Sequence, residues 1–79
     1  MRLIYCVEDD EGIRELITLA LSTADFEVAG FEESGGLYAQ LKNKIPDLIL
    51  LDLMLPKTDG ITILKELKKD SNYCKIEIP

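Results

Sequence analysis

The segment DLILLDLMLP, residues 47–56, carries four consecutive apolar residues, Leu48, Ile49, Leu50 and Leu51, that run straight into a carboxylate, Asp52. A short apolar run of this kind is the pattern of a strand buried on both faces, as strands of parallel sheets are. Burying an unpaired charge is costly. An acid at the end of such a strand therefore needs solvent, a partner or a role.

Working outward in both directions gives an alternating pattern. RLIYCV, residues 2–7, is a second short apolar run rich in strand formers and reads as the first strand. From residue 12 to residue 25, Ile13, Leu16, Ile17, Ala20, Leu21 and Ala24 recur at the spacing of one helical face. FEVAGF, residues 26–31, reads as the second strand, and its Glu27 and Gly30 mark it as less buried and nearer a sheet edge. Ser34 is a candidate cap for a second helix whose apolar face includes Leu37, Tyr38, Leu41 and Ile45, with Pro46 as its stop. After the third strand, residues 53–60 form a loop ending in Asp59-Gly60. A third helix follows, with Ile61, Leu64 and Leu67 on one face and Lys65, Lys68 and Lys69 elsewhere. KIEIP, residues 75–79, reads as the start of a fourth strand. The order is βαβαβα plus a fragment, which predicts an α/β fold with a parallel sheet covered on both faces and right-handed crossovers.

Composition narrows the function classes. The chain has 79 residues, enough for one small domain, with 47% apolar and 30% charged residues, as in soluble globular proteins. Its net charge is −6 and it has no basic run, which argues against nucleic-acid contact within this segment. Two cysteines, Cys6 and Cys74, without any histidine make a zinc site a poor expectation. The first residues are neither a signal peptide nor a membrane span, so no membrane role and a cytoplasmic location are expected.

Doubly wound sheets place their sites beyond the carboxyl ends of the strands, where the strand order reverses. If the second strand lies outside the first and the third lies on the first strand's other side, VED (Val7, Glu8, Asp9) and LLD (Leu50, Leu51, Asp52) share that edge. Glu8, Asp9 and Asp52 then converge. Clustered carboxylates repel one another, and a divalent cation relieves the repulsion. Mg²⁺ suits such a site, because it takes a few carboxylate oxygens and keeps room for waters and a phosphate oxygen. A carboxylate beside it can attack a phosphoryl group. Plainer readings stand beside this one. Asp10 and Glu11 complement the positive end of the first helix, and Glu8 and Asp9 could do the same. Asp52 could be a turn former, Asp59 a helix cap, Cys6 a small buried residue and Lys57 a solvated loop lysine. Met54 is a core filler or a ligand through its backbone carbonyl.

LIYCVEDDEGIRELI followed by PDLILLDLMLPKTDGITILKELK resembles the receiver domain of two-component response regulators, and the likeness runs through the whole chain. The specific combination is the acidic pair after strand one, the Asp ending strand three, and the later Pro and Gly. The resemblance implies a flavodoxin-like doubly wound parallel sheet of order 2-1-3-4-5. It also implies a domain that takes a phosphoryl group from a sensor histidine kinase, with Mg²⁺ as cofactor. On the matching positions Asp52 is the phosphoacceptor, Asp9 a direct metal ligand, and Glu8 its partner, often acting through a metal-bound water. Met54 supplies a backbone carbonyl to the metal, and Pro56 and Gly60 shape the loop. LDLMLPKTDG is most similar to regulators that carry a winged-helix DNA-binding output, which implies a transcription regulator in a longer protein.

The chain departs from that family after Pro79. The Ser or Thr ending strand four and the Lys ending strand five, both of which touch the phosphoryl group in the family, lie outside residues 1–79, as does the aromatic switch residue. The expectation is an incomplete receiver domain that, as these 79 residues alone, binds Mg²⁺ weakly, phosphorylates poorly and does not switch. An open strand-three edge is expected to promote self-association. Three other readings compete. A non-switching interaction fragment needs no chemistry at all. A haloacid dehalogenase-type Mg²⁺ phosphatase wants a second Asp where Met54 stands. A nucleotide-binding module wants a glycine-rich phosphate loop where VEDDEG stands. The domain is expected to be modified rather than to turn over a substrate.

Overall fold

The computed structural model describes residues 2–52 and 60–79. Strands β1 (Leu3–Val7), β2 (Glu27–Phe31) and β3 (Leu48–Leu51) form one parallel sheet of order β2-β1-β3. Helices α1 (Glu11–Thr23), α2 (Ser34–Leu41) and α3 (Gly60–Lys69) connect and cover it. Every residue of β1 is buried, as the apolar run LIYCV requires of a central strand. β2 is the outer strand and only partly covered, as its Glu27 and Gly30 lead one to expect.

Strand alternation sorts the core onto two faces. Leu3, Tyr5 and Val7 point to one side, where they join Ile49, Leu37 and Leu41 of α2, Ile63 and Leu67 of α3, and Ile76. Each large side chain buried there stabilises the fold by about 2 kcal/mol. Tyr5 meets Phe31 edge to face, with ring centroids 5.2 Å apart. Its hydroxyl donates to the Lys44 carbonyl oxygen at 2.6 Å, so a buried polar tip is satisfied. Ile4 and Cys6 occupy the opposite face, on the side of α1.

The helices depart from the sequence expectations in instructive ways. The apolar residues of α1 include no buried one: Ile17 and Leu21 are half-covered, while Leu16 is 68% exposed and Ile13 and Leu19 lie open. The helix rests over β1 and β2, so only one flank of its apolar stripe is used. Ser34 is the first helical residue of α2 rather than its cap; Glu33 takes the cap position. That helix ends at Leu41, where the Asn43 and Lys44 amides both turn back to the Gln40 carbonyl, so Pro46 is not its stop and Ile45 lies exposed beyond it. In α3 the inward residues are Gly60, Ile63 and Leu67, whereas Ile61 faces outward and Leu64 is half-buried.

The end of α1 is closed by a reciprocal pair of backbone bonds. The Phe26 amide donates to the Leu21 carbonyl and the Asp25 amide to the Ser22 carbonyl, both at 3.1 Å. This Schellman geometry requires a left-handed residue, and Asp25 supplies it with φ of 67°. At the start of β3, Asp47 is bound twice to the start of β1: its amide donates to the Leu3 carbonyl at 2.8 Å, and its Oδ2 accepts from the Leu3 amide at 2.7 Å. KIEIP does begin to extend the sheet. Glu77 bridges to Leu48 in parallel, with the Ile49 amide donating to the Glu77 carbonyl at 3.0 Å.

Candidate functional site

The carboxyl ends of β1 and β3 lie side by side because Val7 pairs with Leu51. Each chain continues one residue into the site while still tied to its neighbour. The Asp52 amide donates to the Val7 carbonyl at 3.1 Å, and the Glu8 amide donates to the Phe31 carbonyl at 3.0 Å. Glu8 is therefore anchored toward β2 and Asp52 toward β1, and the side chains meet between them. One carboxylate oxygen from each of Glu8, Asp9 and Asp52 falls within 4.8 Å of the other two. Glu8 and Asp52 are half-buried and Asp9 is exposed.

The three expected acids are thus brought together, and Asp10 and Glu11 are excluded from the cluster. Asp10 caps α1, with its Oδ1 accepting from the Ile13 amide at 3.0 Å, and Glu11 lies in the first turn. Those two acids serve the helix's positive end, which leaves Glu8 and Asp9 to the site. Gly60 is buried at the start of α3. Met54, Pro56, Lys57 and Asp59 lie outside the described residues.

Electrostatics register the crowding at Glu8. Burial first, then hydrogen bonding to and repulsion by Asp52, and hydrogen bonding to Asp9, raise its carboxyl from the usual 4.5 to about 6, against an opposing backbone bond at Asp10. A cleft of about 330 Å³ opens beside the cluster, with Glu8 and Asp52 at its polar side and Cys6, Ile17, Leu50, Leu51 and Pro79 as apolar wall. Partial burial beside that wall raises the Glu8 carboxyl, and the neighbouring Asp52 adds to it. The Cys6 thiol is pushed up by burial and by Glu8, with Arg14 pulling the other way, consistent with an inert packed residue.

Three contributors to the site were not singled out in the sequence. Arg14 Nη1 donates to the Glu8 carbonyl oxygen at 2.8 Å. The carbonyl of Phe31 holds the Glu8 amide. Asp47 fixes β3 against β1 at the far end of the strand. No residue type flags these roles; Arg14 reads as one more polar position on an amphipathic helix, and each of the three contacts uses a backbone atom.

Chemically, three hard oxygen donors at this spacing can share a small divalent cation, and a strand-end carboxylate beside that cation is a competent nucleophile for phosphorus.

Comparison with known proteins agrees with this arrangement. The model of the response regulator receiver domain family matches residues 4–78. Among curated proteins, the phosphate regulon transcriptional regulatory protein PhoB of Pseudomonas aeruginosa is 40% identical over 78 residues, which cover 99% of this chain and 33% of that protein. Among solved structures, the N-terminal domain of a response regulator receiver protein from Methanoculleus marisnigri superposes with a TM-score of 0.92 at 24% identity, over 99% of this chain and 63% of that one. Response regulator TrrA from Thermotoga maritima, solved in complex with Mg²⁺–BeF, superposes with a TM-score of 0.83 at 27% identity, over 90% of this chain and 62% of that one. The chain thus spans about a third of the regulator's length and somewhat under two thirds of the solved receiver chains. No helix among the described residues is long and apolar enough to cross a membrane.

Proposed function

This chain belongs to the response regulator receiver family, and from that premise we propose that Asp52 is a phosphoacceptor, charged by a sensor histidine kinase with the help of Mg²⁺. The observation that carries the reading is the convergence of the Glu8, Asp9 and Asp52 oxygens within 4.8 Å. The donor set fits the metal: all three groups are hard carboxylate oxygens, and the cluster contains no sulfur or imidazole that would favour zinc. Glu8 and Asp9 would hold the cation from the β1 side and Asp52 from the β3 side, with the Met54 carbonyl as a further donor. When bound, Mg²⁺ supplies positive charge that lets an anionic nucleophile meet an anionic phosphoryl group.

The chain's own residues then do the rest. Asp52, held by its amide to Val7, presents a carboxylate oxygen at the mouth of the cleft. That oxygen bonds to phosphorus as the bond from phosphorus to the donor's nitrogen breaks, and the electron pair leaves with the nitrogen. Glu8 and Asp9 must be ionised to hold the cation, so the raised Glu8 value sets a lower pH limit for the site. The domain is modified rather than turning over a substrate, and it works in the cytoplasm as the input to a transcriptional output in a longer protein.

Incubating the longer protein that carries this segment with Mg²⁺ and a small phosphoramidate tests the reading. One phosphoryl group is expected on Asp52, with none in Asp52→Asn and none when a chelator removes Mg²⁺. Label on another residue, or label undiminished in Asp52→Asn, refutes it.

A further inference from the structure

Glu8 and Asp9 sit in a turn between β1 and α1, and turns need something to fix their course. The contacts of Arg14 supply it at two points. Its backbone amide donates to the Asp10 carbonyl at 2.9 Å, the first hydrogen bond of α1. Its guanidinium Nη1 donates to the Glu8 carbonyl at 2.8 Å. The short stretch that bears the acidic pair is therefore strung between two anchors on one residue. Glu8 itself is held on both sides of its backbone, by Phe31 at the amide and by Arg14 at the carbonyl.

The reach of Arg14 is built into β2. Gly30 pairs with Cys6 on the sheet face beneath α1. A Cβ placed on Gly30 would lie 3.1 Å from both Cγ and Cδ of Arg14. Such separations are tighter than ordinary carbon contacts, so a side chain at residue 30 would displace the arginine stem. Gly30, which by sequence suggests only a weak outer strand, is the floor of the arginine's path. Repulsion within the cluster makes the fixing consequential, because carboxylates free to splay apart would do so.

Building on the Mg²⁺ reading above, we propose that Arg14 is a positioning residue for the cation site: through the Glu8 carbonyl, with Gly30 as the gap that admits its stem, it holds the acidic pair converged on Asp52. It touches neither metal nor phosphoryl group. Groups that orient metal ligands from behind typically contribute about 10-fold or more in metal affinity.

The test is an Mg²⁺ titration of the full chain followed by amide resonances, with thermal unfolding in chelator as the control for folding. Arg14→Met keeps the stem and removes the donors. It is expected to weaken Mg²⁺ about 10-fold, to shift the Asp9 amide resonance, which reports the Glu8 carbonyl, and to leave unfolding in chelator little changed. Arg14→Lys retains one donor and is expected to recover most of the affinity. Gly30→Ala leaves Arg14 in place but pushes its stem aside; it is expected to weaken Mg²⁺ on its own and to add nothing in the Arg14→Met background, because both act on one contact. Mg²⁺ affinity in Arg14→Met within twofold of the wild type overturns the inference while leaving the metal reading intact. So do strictly additive Gly30→Ala and Arg14→Met effects. A wild-type chain that takes up no Mg²⁺ overturns both.

Discussion

Glu8→Gln is the perturbation whose sign depends on the metal. The Glu8 carboxyl titrates near 6 in the folded chain against an ordinary value of 4.5, chiefly because of burial and then because of Asp52. A group raised in this way favours folding in its protonated form. The contribution is fully present below about 4.5 and is lost as the pH climbs through about 6. A displacement of that size has a ceiling of about 2 kcal/mol, and solvent screening of a partly exposed site reduces it to about 1 kcal/mol. Glutamine mimics the protonated acid, so in chelator at neutral pH Glu8→Gln is expected to be more stable than the wild type by about 1 kcal/mol. The two should converge near pH 4.5. With saturating Mg²⁺ the order is expected to invert, because on the proposed reading the wild type gains stabilisation from a ligand that only the ionised site holds well. Urea unfolding of the full chain between pH 4.5 and 7, with and without Mg²⁺, measures both effects. If Glu8→Gln is no more stable than the wild type in chelator at pH 7, the repulsion argument fails. If Mg²⁺ stabilises both proteins equally, Glu8 is not part of the site.

Three further outcomes are expected. Asp25→Gly relieves the left-handed strain at the end of α1 and should stabilise the chain by about 0.5–1 kcal/mol in chemical denaturation; a loss of stability would mean that the Asp25 side chain contributes more than its backbone strain costs. Asp47→Ala leaves the Leu3 amide without its acceptor and should cost about 1–2 kcal/mol, with faster hydrogen exchange at that amide; unchanged exchange would remove Asp47 from the account of the sheet. A polypeptide of these 79 residues should self-associate, because among the described residues the outer edge of β3 is met only at the Leu48–Glu77 bridge. Sedimentation showing only monomer at high concentration would dispose of that expectation.

The sheet was legible in the sequence because its strands declare themselves by kind. LIYCV is apolar throughout and became the central strand, whereas EVAGF is mixed and became the outer one. The site was legible because the strand order alone puts the residues after Val7 and Leu51 at one edge. Helix faces were less so. Periodicity finds an apolar stripe but not what lies under it, hence the exposed Leu16 of α1 and the rotated face of α3, where Ile63 rather than Ile61 packs inward. Helix ends were misread where backbone bonds rather than side chains decide them, as at Gln40. The hold of Arg14 on a carbonyl was beyond reach, since a main-chain acceptor leaves no mark in the sequence. The expected donor at Met54 falls outside the described residues.

The paired bonds between Asp47 and Leu3 bear on a question of specification. Leu48, Ile49, Leu50 and Leu51 are interchangeable to the hydrophobic effect, so a slip of two residues that brings Leu51 to the place of Ile49 would exchange one aliphatic side chain for another at the buried position of this strand. Oil-like burial cannot tell that alignment from the correct one. Only the polar residues at the two ends of the run can, and they lie about 16 Å apart at the usual rise per residue. Asp47 thus acts as the index mark of the strand: it is consumed at one rim of the sheet so that Asp52 arrives beside Glu8, rather than a leucine, at the other.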